Sequence, residues 1–358
     1  MKVTHIFVMC IEHHVLPYIN FIRKELSKDT YKTEILVYTQ KPSETLTALQ
    51  NNELVISHHR KDVVDTVKKA NISHKVILHG LYDSVIFLNL LFTFTPLKFV
   101  SWAMWGADVY FTPPKGIKGL VINFCRRKVI PRIGNKIGLH CDYTWLFNHL
   151  GVEDKGSFKE LCFPAWFYQD DKIIGQTRKN KDSEKKRSAL IGNSAESTNN
   201  FLSLIDLLKH SILFKKYTFI LNYGGTPEYI DEVKRYASEC LKNCELVFLT
   251  EKLTYPEFYN LVSQHDALIY NHSRQQGVGS LNIAIELCLD VFLPSNNPMT
   301  ANYDEWSIKV LPTESLSELS CDELNNEITK INNQSVIRNL YHPKKVAIRL
   351  NEFIENER

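Results

Sequence analysis

Between residues 267 and 294 the chain places a guanidinium, paired amides and two glycines between an apolar run and a helix start. Ala267-Leu-Ile-Tyr-Asn271 reads as a strand, His272-Ser-Arg-Gln-Gln-Gly-Val-Gly279 as a loop, and the residues to about Leu289 follow helical spacing. A further strand follows at Asp290-Val-Phe-Leu-Pro294. Such a loop suits an anion held against backbone N–H groups and the positive end of a helix. Arg274 can fork two bonds onto a diphosphate and neutralise it as it leaves; Gln275 and Gln276 flank it, and Gly277 and Gly279 leave the backbone open. The chemistry implied is transfer from a nucleotide diphosphate donor.

Four other places carry chemistry of the same kind. Gly192-Asn193-Ser194 follows a strand and precedes a helix, where a glycine permits close approach and the next N–H groups can receive phosphate oxygens. A plain strand-to-helix turn is the alternative. Glu251, just after a strand in the same half, suits ribose or sugar hydroxyls, or is a surface acid. His13 and His14 stand in the first strand-to-helix loop, and a neutral imidazole there suits the role of base for a sugar hydroxyl. Trp102 to Tyr110 combines aromatic faces, which suit sugar rings, with Gly106 and Asp108, a carboxylate able to bind hydroxyls, take a proton or cap a helix. Glu286 falls on a different helix face from Val278, Leu281, Ile285 and Cys288, which keep core spacing.

These residues need a scaffold, and the chain is long enough to supply one. Its 358 residues, 44% hydrophobic and 23% charged, accommodate two domains with real cores. A net charge of +3 is too small to argue for a nucleic-acid partner. The eight cysteines lack framework spacing, although Cys240 and Cys244 lie one helical turn apart, so reduced structural thiols are expected. No signal peptide is expected, because Met1–Cys10 runs into Glu12-His-His without a small-residue cleavage site. Val85 to Val100 is interrupted by Asn89, Pro96 and Lys98, so no transmembrane span is expected either.

In the first half, strands at Val3–Cys10, Thr33–Thr39, Lys75–His79 and Lys98–Ala103 alternate with helices at Pro17–Leu26, near Lys61–Asn71 and around Ser84–Phe94. That alternation predicts a mostly parallel, doubly wound sheet with ligands at the carboxyl ends of its strands. His13-His14, His79-Gly80 and Trp105-Gly-Ala-Asp108 are therefore the loops of interest. Gln176 to Arg187 is polar and charge-dense, as a hinge should be, and the pattern restarts at Ser188. Thr226 is expected to cap a helix with Pro227 at its first position. The fold expected is α/β: two doubly wound Rossmann-like domains facing a cleft, residues 1–175 and 188–358, with a linker at 176–187. Asn333 to Arg358 looks helical and either closes the second domain or crosses back to the first.

Gly116 to Gly138 carries Lys118, Arg126, Arg127, Lys128, Arg132 and Lys136 among apolar residues, so a basic amphipathic stretch is expected to lie on an anionic membrane surface. A solvated basic helix is the alternative. No Asp-x-Asp ends a predicted strand, and the pair Asp170-Asp171 adjoins the linker. Charge neutralisation by arginine and helix termini, without a metal or other cofactor, is expected.

Val76-Ile-Leu-His-Gly80, Trp105-Gly-Ala-Asp-Val-Tyr110, Leu190-Ile-Gly-Asn-Ser194 and Arg274-Gln-Gln-Gly-Val-Gly-Ser280 resemble segments of the TDP-4-acetamido-4,6-dideoxygalactose (Fuc4NAc) transferases, glycosyltransferase family 56, of enterobacterial common antigen synthesis. The likeness runs in order from the first strand, through the His13-His14 loop, to about Pro298. It implies a GT-B glycosyltransferase whose second domain holds the TDP-sugar. The first domain would face an undecaprenyl-diphosphate-linked acceptor at the cytoplasmic face of the inner membrane. Gly192–Ser194, Glu251 and the Arg274–Gly279 loop would then hold the donor, His14 or Asp108 would take the acceptor proton, and His13, His79 and Trp105 would lie on the acceptor side. Arg126, Arg127, Lys128 and Arg132 would meet the membrane. Asn222-Tyr223-Gly224-Gly225 departs from the proline- and asparagine-rich version associated with the family, which bears on donor choice. An O-antigen enzyme using a related amino-deoxy sugar, a GT-B nucleotide-sugar epimerase and a non-catalytic sugar-binding scaffold are the rival readings.

Overall fold

The structure, a computed structural model, describes all residues except 9–11, 27–29, 94–96, 165–186 and 357–358; for residues 12–14 only the backbone is described. The chain divides into two compact units, Met1–Gln169 with Pro343–Arg358, and Asp170–His342. Apart from Arg187, the expected linker lies outside the described residues.

The first unit runs β1 (Lys2–Val8), α1 (Glu12–Glu25), β2 (Lys32–Tyr38), α2 (Glu44–Ala48), β3 (Leu54–Ser57), α3 (Arg60–Lys68), β4 (His74–His79) and α4 (Ser84–Leu91). It continues through β5 (Val100–Ala103), α5 (Ile117–Val129), β6 (Asn135–Gly138), α6 (His140–Leu150) and β7 (Ser157–Glu160). The strands form one parallel sheet in the order β3-β2-β1-β4-β5-β6-β7. Helices cover both faces of a parallel sheet, so every residue of β4 and β5 is buried, including His74, Lys75 and His79 of β4. The edge strand β7 keeps none of its four residues fully buried. The direction of winding reverses between β1 and β4, which makes their carboxyl ends the switch point.

Three expectations need correction here. Helix α1 begins at Glu12, so His13 and His14 stand in its first turn and not in the preceding loop. Pro17, taken as the helix start, sits inside it and simply lacks the N–H that would bond the carbonyl of His13. The stretch 116–138 is not one amphipathic element: α5 ends at Val129, a 3-10 turn at Ile130–Arg132 contains Pro131, and β6 follows. A Cβ on Gly134 would lie 2.1 Å from the Lys98 carbonyl oxygen, so the chain turns tightly against that strand's start. The short α2 and β3 escaped the sequence reading because an edge strand with Val55 exposed has little apolar signature.

The second unit runs β8 (Ser188–Ile191), α7 (Phe201–Leu208), β9 (Lys216–Ile220), α8 (Pro227–Cys240), β10 (Glu245–Leu249), α9 (Tyr255–Ser263) and β11 (Ala267–Ile269). Then come α10 (Val278–Glu286), β12 (Asp290–Leu293), α11 (Pro298–Glu305), β13 (Leu311–Pro312) and α12 (Glu327–Tyr341). Its sheet is parallel in the order β10-β9-β8-β11-β12-β13, with the switch point between β8 and β11. Thr226 caps α8 as expected, its hydroxyl accepting the Tyr229 N–H with Pro227 behind it.

The last helix, α13 (Pro343–Asn356), belongs to the first unit, which corrects its placement in a second domain of 188–358. Val346, Ala347, Leu350, Phe353 and Ile354 enter the core that Val3, Phe7, Ile19 and Ile22 form on one face of the first sheet. Tyr31 donates its hydroxyl proton to Asn351 Oδ1 at 2.6 Å, tying the same helix down at its solvent side. All seven described cysteines are free thiols.

Candidate functional site

Strand pairing sets the site. Ala189 lies beside Ala267 and Ile191 beside Ile269, so the loops leaving β8 and β11 start side by side at the switch point. The Gly192 N–H donates to the Ile269 carbonyl at 3.0 Å and holds them together. Gly192 adopts a φ of +69°, and a Cβ there would meet the Phe201 ring at 2.5 Å. The close approach that needs this glycine is thus made by the first residue of α7.

The N–H groups of Gly192, Asn193 and Ala195, expected to receive phosphate, are bonded within the protein. The Asn193 N–H donates to Asn199 Oδ1 at 3.1 Å, and Asn199 Nδ2 donates to Ser194 Oγ at 3.1 Å. The Ala195 N–H donates to the Tyr223 carbonyl at 2.8 Å. Gln276 joins this loop to its neighbour: its amide donates to Asn193 Oδ1 at 3.0 Å while its carbonyl accepts the Thr198 hydroxyl at 3.0 Å. Gly277, at a φ of +67°, is the N-cap of α10, and a Cβ there would lie 2.7 Å from the Tyr270 hydroxyl. Asn193, Ser194, Gln276 and Gly277 therefore come together as predicted, as the frame of the site.

What this frame presents to a ligand is Arg274 and the start of α10, with His272 buried in the same loop. The Arg274 side chain is about one-third exposed (32%), one terminal nitrogen lies 3.4 Å from Glu196, and its Nε has no hydrogen-bond partner. His272 is fully buried and neither ring nitrogen is bonded. Burial, reinforced by the Arg274 charge, lowers its pKa to about 3, so the ring is neutral and offers one donor and one acceptor. Val278 and Gly279 open α10, and their N–H groups, as first-turn amides, lack intrahelical acceptors. A Cβ on Gly279 would meet nothing within 4 Å, so open space lies beside it. Asn297 supports the whole loop from beneath, its Nδ2 donating to the carbonyls of His272 at 2.6 Å and Arg274 at 3.3 Å.

Of the other residues singled out, one shares this loop and two stand apart. Gln275 is half-buried in the same loop. Glu251 is exposed just beyond β10, the edge strand two places from β8. Glu286 is buried and accepts three bonds from Arg338 of α12, at 3.0, 3.2 and 2.7 Å, as part of the fold. Glu196, Tyr223, His272 and Asn297 were not singled out as site residues: they converge from positions 25 to 101 residues apart in sequence, and no spacing rule connects them.

In the first unit the expected acceptor residues divide. Asp108 is fully buried, and its two oxygens accept four N–H groups: from Leu81 at 3.0 Å, the Trp102 indole at 2.8 Å, Trp105 at 2.9 Å and Val109 at 3.1 Å. Burial raises its pKa, while the bonds from Trp105, Trp102 and Leu81 oppose the shift. A carboxylate saturated in this way organises the loop after β5, which corrects its assignment as the proton acceptor. His79 is buried, stacked on Phe7 at 4.4 Å and bonded to His5 at 2.9 Å; burial holds it neutral, and it belongs to the core. Trp105 is half-buried, its ring stacked on Phe163 at 5.2 Å. The side chains of His13 and His14 lie outside the described residues.

The expected membrane-facing cations also divide. Arg126 is buried and donates to the carbonyls of Phe111, Asp108 and Val109. Arg132 donates to the Thr93 carbonyl at 3.2 Å, and buried Lys136 is paired with Asp154. Arg127 and Lys128 are exposed. Among the described residues, no group of three or more His, Cys, Asp or Glu is placed to hold a metal ion, and Asp170-Asp171 lie outside them. No helix among the described residues is long and apolar enough to cross a membrane.

The family model described as 4-alpha-L-fucosyltransferase, glycosyl transferase group 56, matches residues 1–344. Among solved structures, the chain is similar to HepE of Anabaena in complex with UDP, with a TM-score of 0.69 at 11% identity, covering 99% of this chain and 100% of that one. It is also similar to a glycosyltransferase from Rickettsia africae, with a TM-score of 0.66 at 9% identity over 99% and 98% of the two chains. For the lipopolysaccharide outer core galactosyltransferase WaaB the TM-score is 0.63 at 11% identity, over 100% of both chains. At such identities the likeness concerns the fold, which is GT-B.

Proposed function

The chain belongs to the 4-alpha-L-fucosyltransferase family of glycosyl transferase group 56, and from that membership we propose that it moves Fuc4NAc from TDP to an undecaprenyl-diphosphate-linked oligosaccharide. That it is a glycosyltransferase follows from the family; the sugar, the nucleotide and the acceptor are the proposal. The observation that carries it is Arg274, with an unbonded Nε, beside neutral buried His272 at the switch point between β8 and β11.

In this reading an acceptor hydroxyl oxygen attacks the anomeric carbon of the donor. The bond from that carbon to the diphosphate oxygen breaks, and TDP leaves with the electron pair. Arg274 and the opening amides of α10 oppose the growing charge on the leaving oxygens, so no divalent cation is required. His272, buried and neutral, adds no charge to the site. With Asp108 committed to four N–H groups, the acceptor proton passes to His14. Trp105 offers its ring to an acceptor sugar, and the enzyme works as a peripheral protein at the cytoplasmic face of the inner membrane.

One observation favours a related amino-deoxy sugar as the second reading. Tyr223, on the loop that departs from the family pattern, accepts the Asn193 amide at 3.3 Å and so stands within the donor frame. Calorimetric titration with TDP, UDP and GDP, without metal, tests both. Selective TDP binding in the micromolar range, weakened roughly tenfold or more in Arg274→Ala, is expected from loss of a charge-assisted contact. Preference for UDP or GDP would retain the transferase and remove the named donor. Wild-type affinity in Arg274→Ala would remove the donor site described.

A further inference from the structure

Helix α5 is apolar on both of its faces. Ile122, Cys125 and Val129 pack inward, while Ile117, Leu120, Val121 and Phe124 on the opposite side are 82%, 72%, 48% and 53% exposed. A surface helix ordinarily carries polar residues there. Helix α4 packs against α5 and repeats the pattern: Val85, Leu88 and Phe92, at helical spacing, are 42%, 40% and 72% exposed. Two adjacent helices thus leave one apolar surface uncovered.

Within the segment that forms this surface the exposed charge has one sign. From Ser84 to Lys136 the sequence contains a single acid, Asp108, which is buried and bonded, against eight Lys and Arg residues. Lys98, Lys115, Lys118, Arg127 and Lys128 are exposed among them. Lys128 lies 5.8 Å from the centre of the Phe124 ring, so cation and apolar side chain share one end of the surface. A symmetric dimer through this face would set like charges opposite one another. An anionic lipid surface meets both demands at once, burying the apolar stripe at the headgroup–acyl boundary and pairing the cations with phosphates.

We propose that the α4–α5 surface seats this chain on an anionic phospholipid bilayer, with Phe92, Leu120 and Phe124 entering the boundary region and the exposed cations meeting headgroups. The inference deepens the proposed function, since a lipid-linked acceptor is met at a bilayer. Its test uses neither donor nor acceptor, so the two fail separately.

The full chain is sedimented with vesicles of phosphatidylcholine, with and without phosphatidylglycerol. Wild type is expected to bind the phosphatidylglycerol vesicles preferentially, and less so as salt rises. Leu120→Ser with Phe124→Ser should lower that binding roughly tenfold while leaving the thermal melt unchanged, because both side chains are already exposed. Lys118→Glu with Lys128→Glu should remove the preference for the anionic lipid. Wild type failing to bind, or the Leu120/Phe124 variant binding as wild type does, would overturn the proposal. So would light scattering that shows a wild-type dimer split by the Leu120/Phe124 changes, which would make a second copy the occupant.

Discussion

Arg274 and Glu196 form an ion pair at 3.4 Å in which both side chains are partly exposed, 32% and 46%. Pairs of this kind contribute about 0.5 kcal/mol, so the contact adds little to stability. Its larger consequence is for binding, because a diphosphate must share Arg274 with a carboxylate of like charge. Glu196→Gln should therefore tighten TDP binding about threefold, equivalent to about 0.7 kcal/mol, as measured by the same titration. An unchanged or weaker affinity would show that Glu196 instead contacts the nucleotide or sugar. Asp108 illustrates the opposite case at this scale. Its residue type suited a proton acceptor, but four N–H donors already occupy its oxygens. Sequence supplies a carboxylate; only its neighbours decide whether a lone pair is left.

At the scale of the element, helix α6 carries an acid where the core is dry. Asp142 is buried, accepts the Tyr110 hydroxyl at 3.0 Å, and burial pushes its pKa up to about 7. A carboxyl with a raised folded-state pKa contributes stability below its unfolded value, near 4, and loses it as pH rises through 7. Asp142→Asn keeps the acceptor for Tyr110 and removes the titration. The variant's melting temperature minus that of wild type should therefore grow between pH 4.5 and about 7.5 in a thermal scan series. A constant difference across that range would mean that Asp142 is ionised in the fold. Helix α5 makes a related point: its mixture of apolar and basic residues was legible, but which face met the core was not. Both faces are apolar, so burial had to be decided by what packed there. Arg126 consequently went inward and Leu120 outward.

For the molecule as a whole, the chain crosses from its second unit back to its first through α13. Leu350 is 2% exposed in the core shared with α1 and β1. Leu350→Ala should cost about 2–4 kcal/mol. Hydrogen exchange should show lost protection in β1, β2 and β4 with β8, β9 and β11 unaffected. Equal loss in both sheets, or none, would contradict the assignment of α13. Much of this architecture was readable beforehand. Alternating apolar runs and helical spacings identified four of the seven strands in the first sheet, because strands covered on both faces are rich in apolar residues. The loop proposed to hold the donor was readable as a loop before a helix, since Arg274, Gly277 and the start of α10 are adjacent in sequence.

The sequence by itself determined the alternation, the caps, the local loop chemistry and the family, all of which depend on residues within a few positions or on an ordered set of motifs. Tertiary structure decided which loops meet. Asn193, Thr198 and Gln276 become partners only because β8 and β11 lie side by side at a reversal of strand order. It also decided that His272 is buried without a bond, that Asp108 has no oxygen to spare, and that α13 completes the first core. The reason is common to all of them: burial and hydrogen-bond saturation depend on contacts between segments tens to hundreds of residues apart. A chain written in one dimension carries the donors and acceptors but not their pairing.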